Sequence, residues 1–248
     1  MKSFPIFTTH GICSGPSTPT HLNDEDFQKF LQNCEPDPHV FNALKKEHFN
    51  FYDDTDCIRK YITFDDGLES VLRAAEKMPF PGTVFVVTNH VGRHNGWRGQ
   101  PGWVSREKCM NWCQLKSLVE QGWSVGAHSH NHPSFLKLNP DIIRYEIEYS
   151  KKLIEDRLGA GCDFFAYPYG HAPAAAKKAV DEFGMIGLGT EPGWAWTADS
   201  FNKLPRIEIY DLLYCNSAKP MFYRPPTFKE INFLYFRRLG GSILRQIA

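Results

Sequence analysis

The stretch Tyr61-Ile62-Thr63-Phe64-Asp65-Asp66-Gly67 ends a short β-favouring run, Lys60 to Phe64, with two adjacent carboxylates. A second stretch, Gly126-Ala127-His128-Ser129-His130-Asn131-His132-Pro133, places three histidines directly after the apolar run Trp123 to Ala127. Taken alone, the Asp-Gly pair is better explained by a turn. Together, the two stretches predict polar side chains at the ends of neighbouring buried strands.

Strand-like and helix-like segments alternate along the chain outside these stretches. We predict the other strands at Phe4 to Thr9, Thr83 to Thr88, Phe164 to Tyr167, Met185 to Leu188 and Arg206 to Ile209. Helical periodicity is seen at Asp24 to Cys34, after Gly67 (Leu68, Val71, Leu72 and Ala75), and at Ser105 to Gln121, Asp141 to Leu158 and Ala174 to Phe183. This alternation is typical of a mainly parallel sheet with helical crossovers. In a (β/α) barrel, the residues that follow the strands share one rim, where the chemistry takes place.

The composition excludes some partners. Lysine plus arginine equals aspartate plus glutamate, 28 of each in 248 residues, so net charge gives no case for nucleic acid or an anionic membrane. The number of cysteines, seven, is odd and they show no regular spacing, which favours reduced thiols in a cytoplasmic protein. Met1 to Ile12 is too short and polar for a signal peptide. No apolar run approaches the roughly 20 residues that span a bilayer.

The aspartate and histidine stretches can supply a metal site. His128 and His132 face the same way if their segment is a helical turn or a tight loop, and His130 joins them if it is extended. One aspartate with two histidines leaves coordination positions open, as at zinc sites that lower the pKa of bound water toward about 7. Non-haem iron oxygenases also use two histidines and a carboxylate, but their His-x-Asp unit is absent. A histidine-rich surface loop is the alternative.

Three ordered motifs resemble those of the polysaccharide deacetylase family, also called the NodB-homology domain. The first is Thr63-Phe64-Asp65-Asp66-Gly67 and the second is His128-Ser129-His130-Asn131-His132-Pro133. The third is Phe165-Ala166-Tyr167-Pro168-Tyr169-Gly170, and Leu204-Pro205-Arg206-Ile207 is similar to a later element of one branch. The resemblance extends over roughly Phe4 to Tyr210, and three motifs in order are far more specific than one.

The resemblance implies a distorted (β/α) barrel with about seven parallel strands and one divalent metal, most often zinc. By position, Asp66, His128 and His132 are the metal ligands, and His130 points elsewhere. Asp65 is the general base, and the backbone N–H of Tyr169 helps to hold the oxyanion. The implied reaction removes an N-acetyl group from an amino sugar of a polysaccharide or glycoconjugate.

The sequence departs from the family pattern at two places. Many members have an arginine where this chain has Ala166, and we expect Arg206 to orient Asp65 instead. Many members also have a late catalytic histidine, whereas no histidine follows His171 here. His10 and His171 are therefore the candidates for the general acid, and we favour His10 because it ends a strand.

Several alternatives remain at this stage. The same site would suit another amide hydrolase, such as a deformylase, and a catalytically impaired carbohydrate-binding barrel belongs to a different class. Residues 1–248 are expected to form one catalytic domain with a C-terminal extension from about residue 211. Aromatic and basic loop residues could bind the sugar or merely pin the loops: Arg93, Trp97, Arg98, Trp103, Trp194 and Trp196. The tail Phe228 to Phe236, with Arg237, Arg238 and Arg245, is expected to cover the barrel or a partner, with membrane contact a lesser alternative.

Overall fold

A seven-stranded, all-parallel sheet forms the centre of the molecule, seen in a computed structural model that describes residues 3–33, 43–44, 60–100, 102, 104–196, 199–215 and 224–235. The strand order is β11-β2-β5-β6-β7-β8-β9. These strands are β2 (Ile6–Thr9), β5 (Tyr61–Phe64), β6 (Thr83–Val86), β7 (Ser124–Ala127), β8 (Phe164–Ala166), β9 (Ile186–Leu188) and β11 (Ile207–Glu208). All seven predicted strands are present, with ends shifted by one or two residues.

The sheet curls until its two edges are joined by the chain itself. At the end of β9, Leu188 forms a parallel bridge with Leu204, and the Gly189 N–H donates to the Leu204 carbonyl at 2.8 Å. Two residues later, the Arg206 N–H donates to the Glu191 carbonyl at 3.0 Å, and β11 then begins. The segment that crosses from β9 to β11 therefore closes the sheet into the distorted barrel that the sequence predicts.

Side chains that alternate along each strand build two separate cores. One cluster lies inside the curled sheet and includes Ile6, Phe85 and Leu188. Their neighbours in sequence, such as Phe7 and Val84, belong to a larger cluster that packs the sheet against the helices. This alternation is the period of two that a β-strand imposes.

Helices connect the strands. They are α1 (Asp24–Asn33), α2 (Val71–Ala75), α3 (Trp112–Glu120), α4 (Pro140–Leu158), α5 (Ala174–Glu182) and α6 (Ile209–Tyr214). The prediction that α3 begins at Ser105 is wrong. Asn111 caps the helix, because its side chain accepts from the Gln114 N–H while the Gln114 side chain accepts from the Asn111 N–H. The predicted face after Gly67 is also shorter than expected, since Leu68 precedes α2 and forms a bridge with Cys109.

Two short sheets complete the fold. In one, β1 (Ser3–Phe4) pairs antiparallel with β10 (Ala195–Trp196), and in the other β3 (Gly11–Cys13) pairs with β4 (His21–Asn23). Within the described ranges, no helix is long and apolar enough to cross a membrane. Some predictions fall outside the described residues: those on Cys34, Trp103, Phe236, Arg237, Arg238 and Arg245.

Candidate metal centre and active site

Asp66, His128 and His132 converge at the rim formed by the carboxyl ends of β5 and β7. The Nε2 atoms of the two histidines lie 3.2 Å apart, and they lie 3.5 and 3.6 Å from Oδ1 of Asp66. Four nitrogen and oxygen ligands at zinc–ligand distances of about 2.05 Å in a tetrahedron lie about 3.3 Å from one another. The three atoms therefore have the mutual spacing of three corners of such a site.

Unusual backbone conformations are concentrated in the three motifs. Four non-glycine residues have a positive φ in the part of the chain that the structure describes: Asp66, Ser129, His132 and Tyr169. Such conformations cost of the order of 1–3 kcal/mol each and persist only where the surroundings impose them. The two candidate metal ligands among them, Asp66 (φ 70°) and His132 (φ 56°), are thereby turned away from the course of an extended strand.

The buried polar atoms of the cluster fit a cation. Oδ1 of Asp66, the atom that faces the Nε2 atoms of both histidines, is buried and has no hydrogen-bond partner within the described residues. Burial, together with the charges of Asp65 and Glu107, raises the pKa of Asp66 well above its usual value, as expected of a carboxylate that lacks a compensating charge. Burial also lowers the pKa of both histidines, which keeps their lone pairs available.

A hydrogen bond fixes the orientation of His128. Its Nδ1 lies 2.7 Å from the carbonyl oxygen of Ala166, the last residue of β8. An imidazole that donates from Nδ1 to a carbonyl presents an unprotonated Nε2, which is the usual support for a metal-ligating histidine. At the position where many family members have arginine, Ala166 thus contributes its backbone carbonyl, which orients His128.

Asp65 is held by Arg206, as the sequence predicts. The two Nη atoms of Arg206 donate to the two carboxylate oxygens of Asp65, each at 2.7 Å. Arg206 is completely buried, and its guanidinium also donates to Gly189 O, Thr8 Oγ1 and Thr63 Oγ1. Burial alone would raise the pKa of Asp65, but the charge and hydrogen bonds of Arg206 outweigh it and hold that pKa far below its usual value. Asp65 is therefore an ionised and rigidly aimed carboxylate.

The loop between the two histidines is held by a residue that sequence reasoning missed. Glu146, on the buried face of α4, accepts from the backbone N–H groups of His130 and Asn131 at 2.9 and 2.7 Å. Its other oxygen accepts from the Asn131 side chain at 2.7 Å. His130 itself points away from the ligand cluster, with its Nδ1 2.8 Å from Thr88 Oγ1. An acidic residue on the apolar face of a predicted helix was the signal that could have revealed Glu146.

Tyr169, in the third motif, lies next to His132. Its backbone N–H donates to no backbone acceptor in the described chain. Its φ of 57° is left-handed, unlike the helical conformation of a regular turn. Its ring meets that of His132 at a centroid distance of 4.7 Å, and Trp97 covers His132 at 4.3 Å. Trp97 therefore has a place at the site, whereas Trp194 is buried in the far loop and Arg93 and Arg98 are exposed.

The two candidate acids differ in their surroundings. His10 lies near enough to Asp65, His128 and Arg206 for their charges to influence it, and burial lowers its pKa to about 4. His171 is hydrogen-bonded through Nδ1 to Ser134 Oγ at 2.8 Å, and burial and then Lys203 lower its pKa. The charges of Asp65 and His128 therefore bear on the pKa of His10, and neither is among the causes of the lowered pKa of His171.

Comparison with known proteins agrees with this geometry. The family model described as "Polysaccharide deacetylase" matches residues 53–187, more than half of the chain. YxkH of Bacillus subtilis (strain 168), named for its likeness to polysaccharide deacetylases, is 24% identical over 83% of this chain and 71% of its own length. The poly-beta-1,6-N-acetyl-D-glucosamine N-deacetylase of Staphylococcus epidermidis is 25% identical over 76% of this chain and 68% of its own.

A solved structure shares the fold. The Streptococcus pyogenes deacetylase PplD, in complex with acetate, superposes with a TM-score of 0.67 at 21% identity, covering 83% of this chain and 91% of that one. The protein is thus a NodB-like barrel with a carboxylate and histidine cluster at its rim. It belongs to the polysaccharide deacetylase family.

Proposed function

We propose that this protein is a metal-dependent hydrolase that removes the N-acetyl group from an amino sugar within a polysaccharide or glycoconjugate. The observation that carries the proposal is the convergence of Asp66, His128 and His132 beside a carboxylate clamped by Arg206. One group of residues can bind a cation while the neighbouring group accepts a proton. Membership of a deacetylase family and the N-deacetylase activity for which the Staphylococcus relative is named support the choice of substrate.

In this proposal, Asp66, His128 and His132 hold the divalent ion, most often zinc in such donor sets. A divalent ion at this position supplies a Lewis acid for the amide carbonyl and for the attacking water. Asp65 takes the proton from that water, and Arg206 keeps its carboxylate ionised and aimed. The Tyr169 N–H donates to the oxygen that becomes negative when the carbonyl is attacked. The leaving amine must be protonated, and we assign that role to His10 ahead of His171.

The proposal is tested by acetate release. The purified, zinc-loaded chain is incubated with N-acetylglucosamine, its oligomers, peptidoglycan fragments and a formylated amino sugar. We expect acetate from at least one N-acetylated glycan and none after Asp65→Asn, which keeps the size of the side chain. Formate release alone would favour the deformylase alternative. Binding of glycan without release of either acid would favour the carbohydrate-binding barrel.

A further inference from the structure

The two candidate histidine ligands are held in different ways. Nδ1 of His128 is hydrogen-bonded to the carbonyl of Ala166, which fixes the plane of its ring. Nδ1 of His132 is buried and is hydrogen-bonded to no other residue of the described chain. A metal-ligating histidine almost always has such a bond from its second nitrogen, because the bond fixes the orientation of the ring. The ring of His132 therefore depends on other contacts for its orientation.

Aromatic rings supply those contacts. The indole of Trp97 lies on His132 with centroids 4.3 Å apart and planes inclined by 31°, which is closer to a stacked than to an edge-on arrangement. Tyr169 meets the same imidazole edge-to-face, with planes inclined by 74°. His90 packs edge-on against the indole at 5.4 Å. Trp97 is only 6% exposed, although it lies in a connecting loop.

A hydrogen-bonded hairpin holds Trp97 against the site. The buried Asn95 donates its backbone N–H to the Glu107 carbonyl at 2.9 Å, and its side chain accepts from the Glu107 N–H at 2.8 Å. Further along, the Met110 N–H donates to the carbonyl of Gly67, the last residue of the first motif, at 2.9 Å. The loop that carries the indole is thus tied to the same strand end as the carboxylate ligand.

We propose that Trp97 is a positioning residue that raises the metal affinity of the site by stacking on His132. The inference rests on the metal centre of the proposed function. An imidazole that binds a divalent cation takes up part of its positive charge, and the face of an indole is the most favourable aromatic surface for a cation. The stack is therefore stronger with metal bound than without it. It also fixes the imidazole beforehand, so that less freedom is lost on binding.

Substitutions of Trp97 should follow an order that separates the π face from simple packing. Trp97→Phe keeps an aromatic face, so its affinity for zinc should fall only about twofold to threefold. Trp97→Leu fills part of the space without a π face, and Trp97→Ala removes both contributions. We expect each of these two variants to bind zinc on the order of tenfold more weakly than the wild type.

The test measures zinc affinity by competition with a chelator. Trp194→Ala, which removes an indole of similar burial from the segment between β9 and β11, is the control and should keep the wild-type affinity. Thermal unfolding of the metal-free variants checks that each one folds. Cobalt(II) in place of zinc gives a second readout, because its visible spectrum depends on coordination geometry. Trp97→Leu should shift this spectrum toward that of His132→Ala, whereas Trp194→Ala should not.

Equal zinc affinity in the wild type and Trp97→Leu would overturn the proposal. An equal loss in Trp97→Phe and Trp97→Leu, or in Trp97→Ala and Trp194→Ala, would also overturn it, because the effect would then come from packing or general stability. A wild type that binds no zinc would remove both the metal centre and this role of Trp97. A wild type that binds zinc but releases no acetate would remove the proposed reaction, while the zinc affinities would still decide the role of Trp97.

Discussion

Arg206 and Asp65, 141 residues apart in sequence, form a two-pronged ion pair inside the barrel, with both N···O distances at 2.7 Å. Arg206 lies where the chain crosses from β9 to β11, and Asp65 follows β5. The segment that closes the barrel therefore also positions the Arg206 guanidinium, which orients Asp65, the candidate base. This arrangement replaces the arginine that many family members carry at the position of Ala166.

Replacing Arg206 should lower turnover more than metal content. Arg206→Ala leaves a buried carboxylate without its partner, which typically costs about 3–5 kcal/mol of stability, and Asp65 loses its orientation. Arg206→Lys keeps the charge but not the two parallel hydrogen bonds, so its loss of kcat should be intermediate. We expect a fall in kcat on the order of 10² for Arg206→Ala, with zinc retained. Full turnover of Arg206→Ala at a temperature where it is folded would contradict this role.

Glu146 should control metal affinity from outside the ligand set. Glu146→Ala removes the acceptor of three hydrogen bonds that hold the residues between His128 and His132. Loss of such supporting contacts commonly costs on the order of 10–100-fold in metal affinity. Competition with a zinc chelator measures the effect, and Glu148→Ala, on the exposed side of α4, is the matched control. Equal zinc affinity in both variants would rule out the positioning role.

The general acid can be found from the pH–rate profiles of His10→Ala and His171→Ala. We expect His10→Ala to keep its metal and lose turnover, because the charges of Asp65 and His128 act on His10. Since burial lowers the pKa of His10 to about 4, the residue is neutral near pH 7, and as the acid it must first accept the proton that the attacking water releases. Replacement of His171, whose ring is bonded to Ser134, should change the profile little. The reverse pattern would transfer the role to His171. If both variants keep the wild-type profile, the proton returns through Asp65.

His10 should also make stability depend on pH. Burial lowers its pKa from 6.5 to about 4 in the folded chain, so below pH 6.5 the unfolded chain binds a proton that the folded chain does not. Stability from this residue is therefore complete above pH 6.5 and is lost as the pH falls toward 4. In metal-free protein, His10→Gln should flatten the slope of unfolding free energy in this window. One fully linked proton would change the free energy of unfolding by about 1.4 kcal/mol per pH unit. Because the ring of His10 is partly accessible, we expect a smaller slope. An unchanged slope would show that His10 titrates normally.

The sequence predicted the barrel because its strands are short apolar runs that end in polar motifs. Because the carboxyl ends of parallel strands share a rim, the sequence alone predicts that Asp66 and His132 lie together. Spacing alone does not say which of the three histidines bind the metal, because His130 shares a face with the other two if the segment is extended. The motif resemblance selects His128 and His132. The structure resolves that alternative through the hydrogen bond between His130 and Thr88.

Other features depended on contacts that sequence patterns do not encode. The start of α3 was misjudged because Ser105 and Asn111 are both good capping residues, and only the reciprocal bonds with Gln114 select Asn111. Glu146 was overlooked because a periodicity search treats an acidic residue on an apolar helix face as noise. Its importance comes from a loop 15 residues earlier that presents two N–H groups to it.

The most direct test of the central claim is a zinc titration of the metal-stripped chain, with acetate release from an N-acetylglucosamine oligomer as the readout. We expect no activity without metal and a rise that levels off at one zinc per chain. His132→Ala should neither bind zinc tightly nor release acetate, whereas His130→Ala, altered two residues away, should bind one zinc. Full acetate release by the metal-stripped chain, or zinc binding by His132→Ala equal to that of the wild type, would contradict the account.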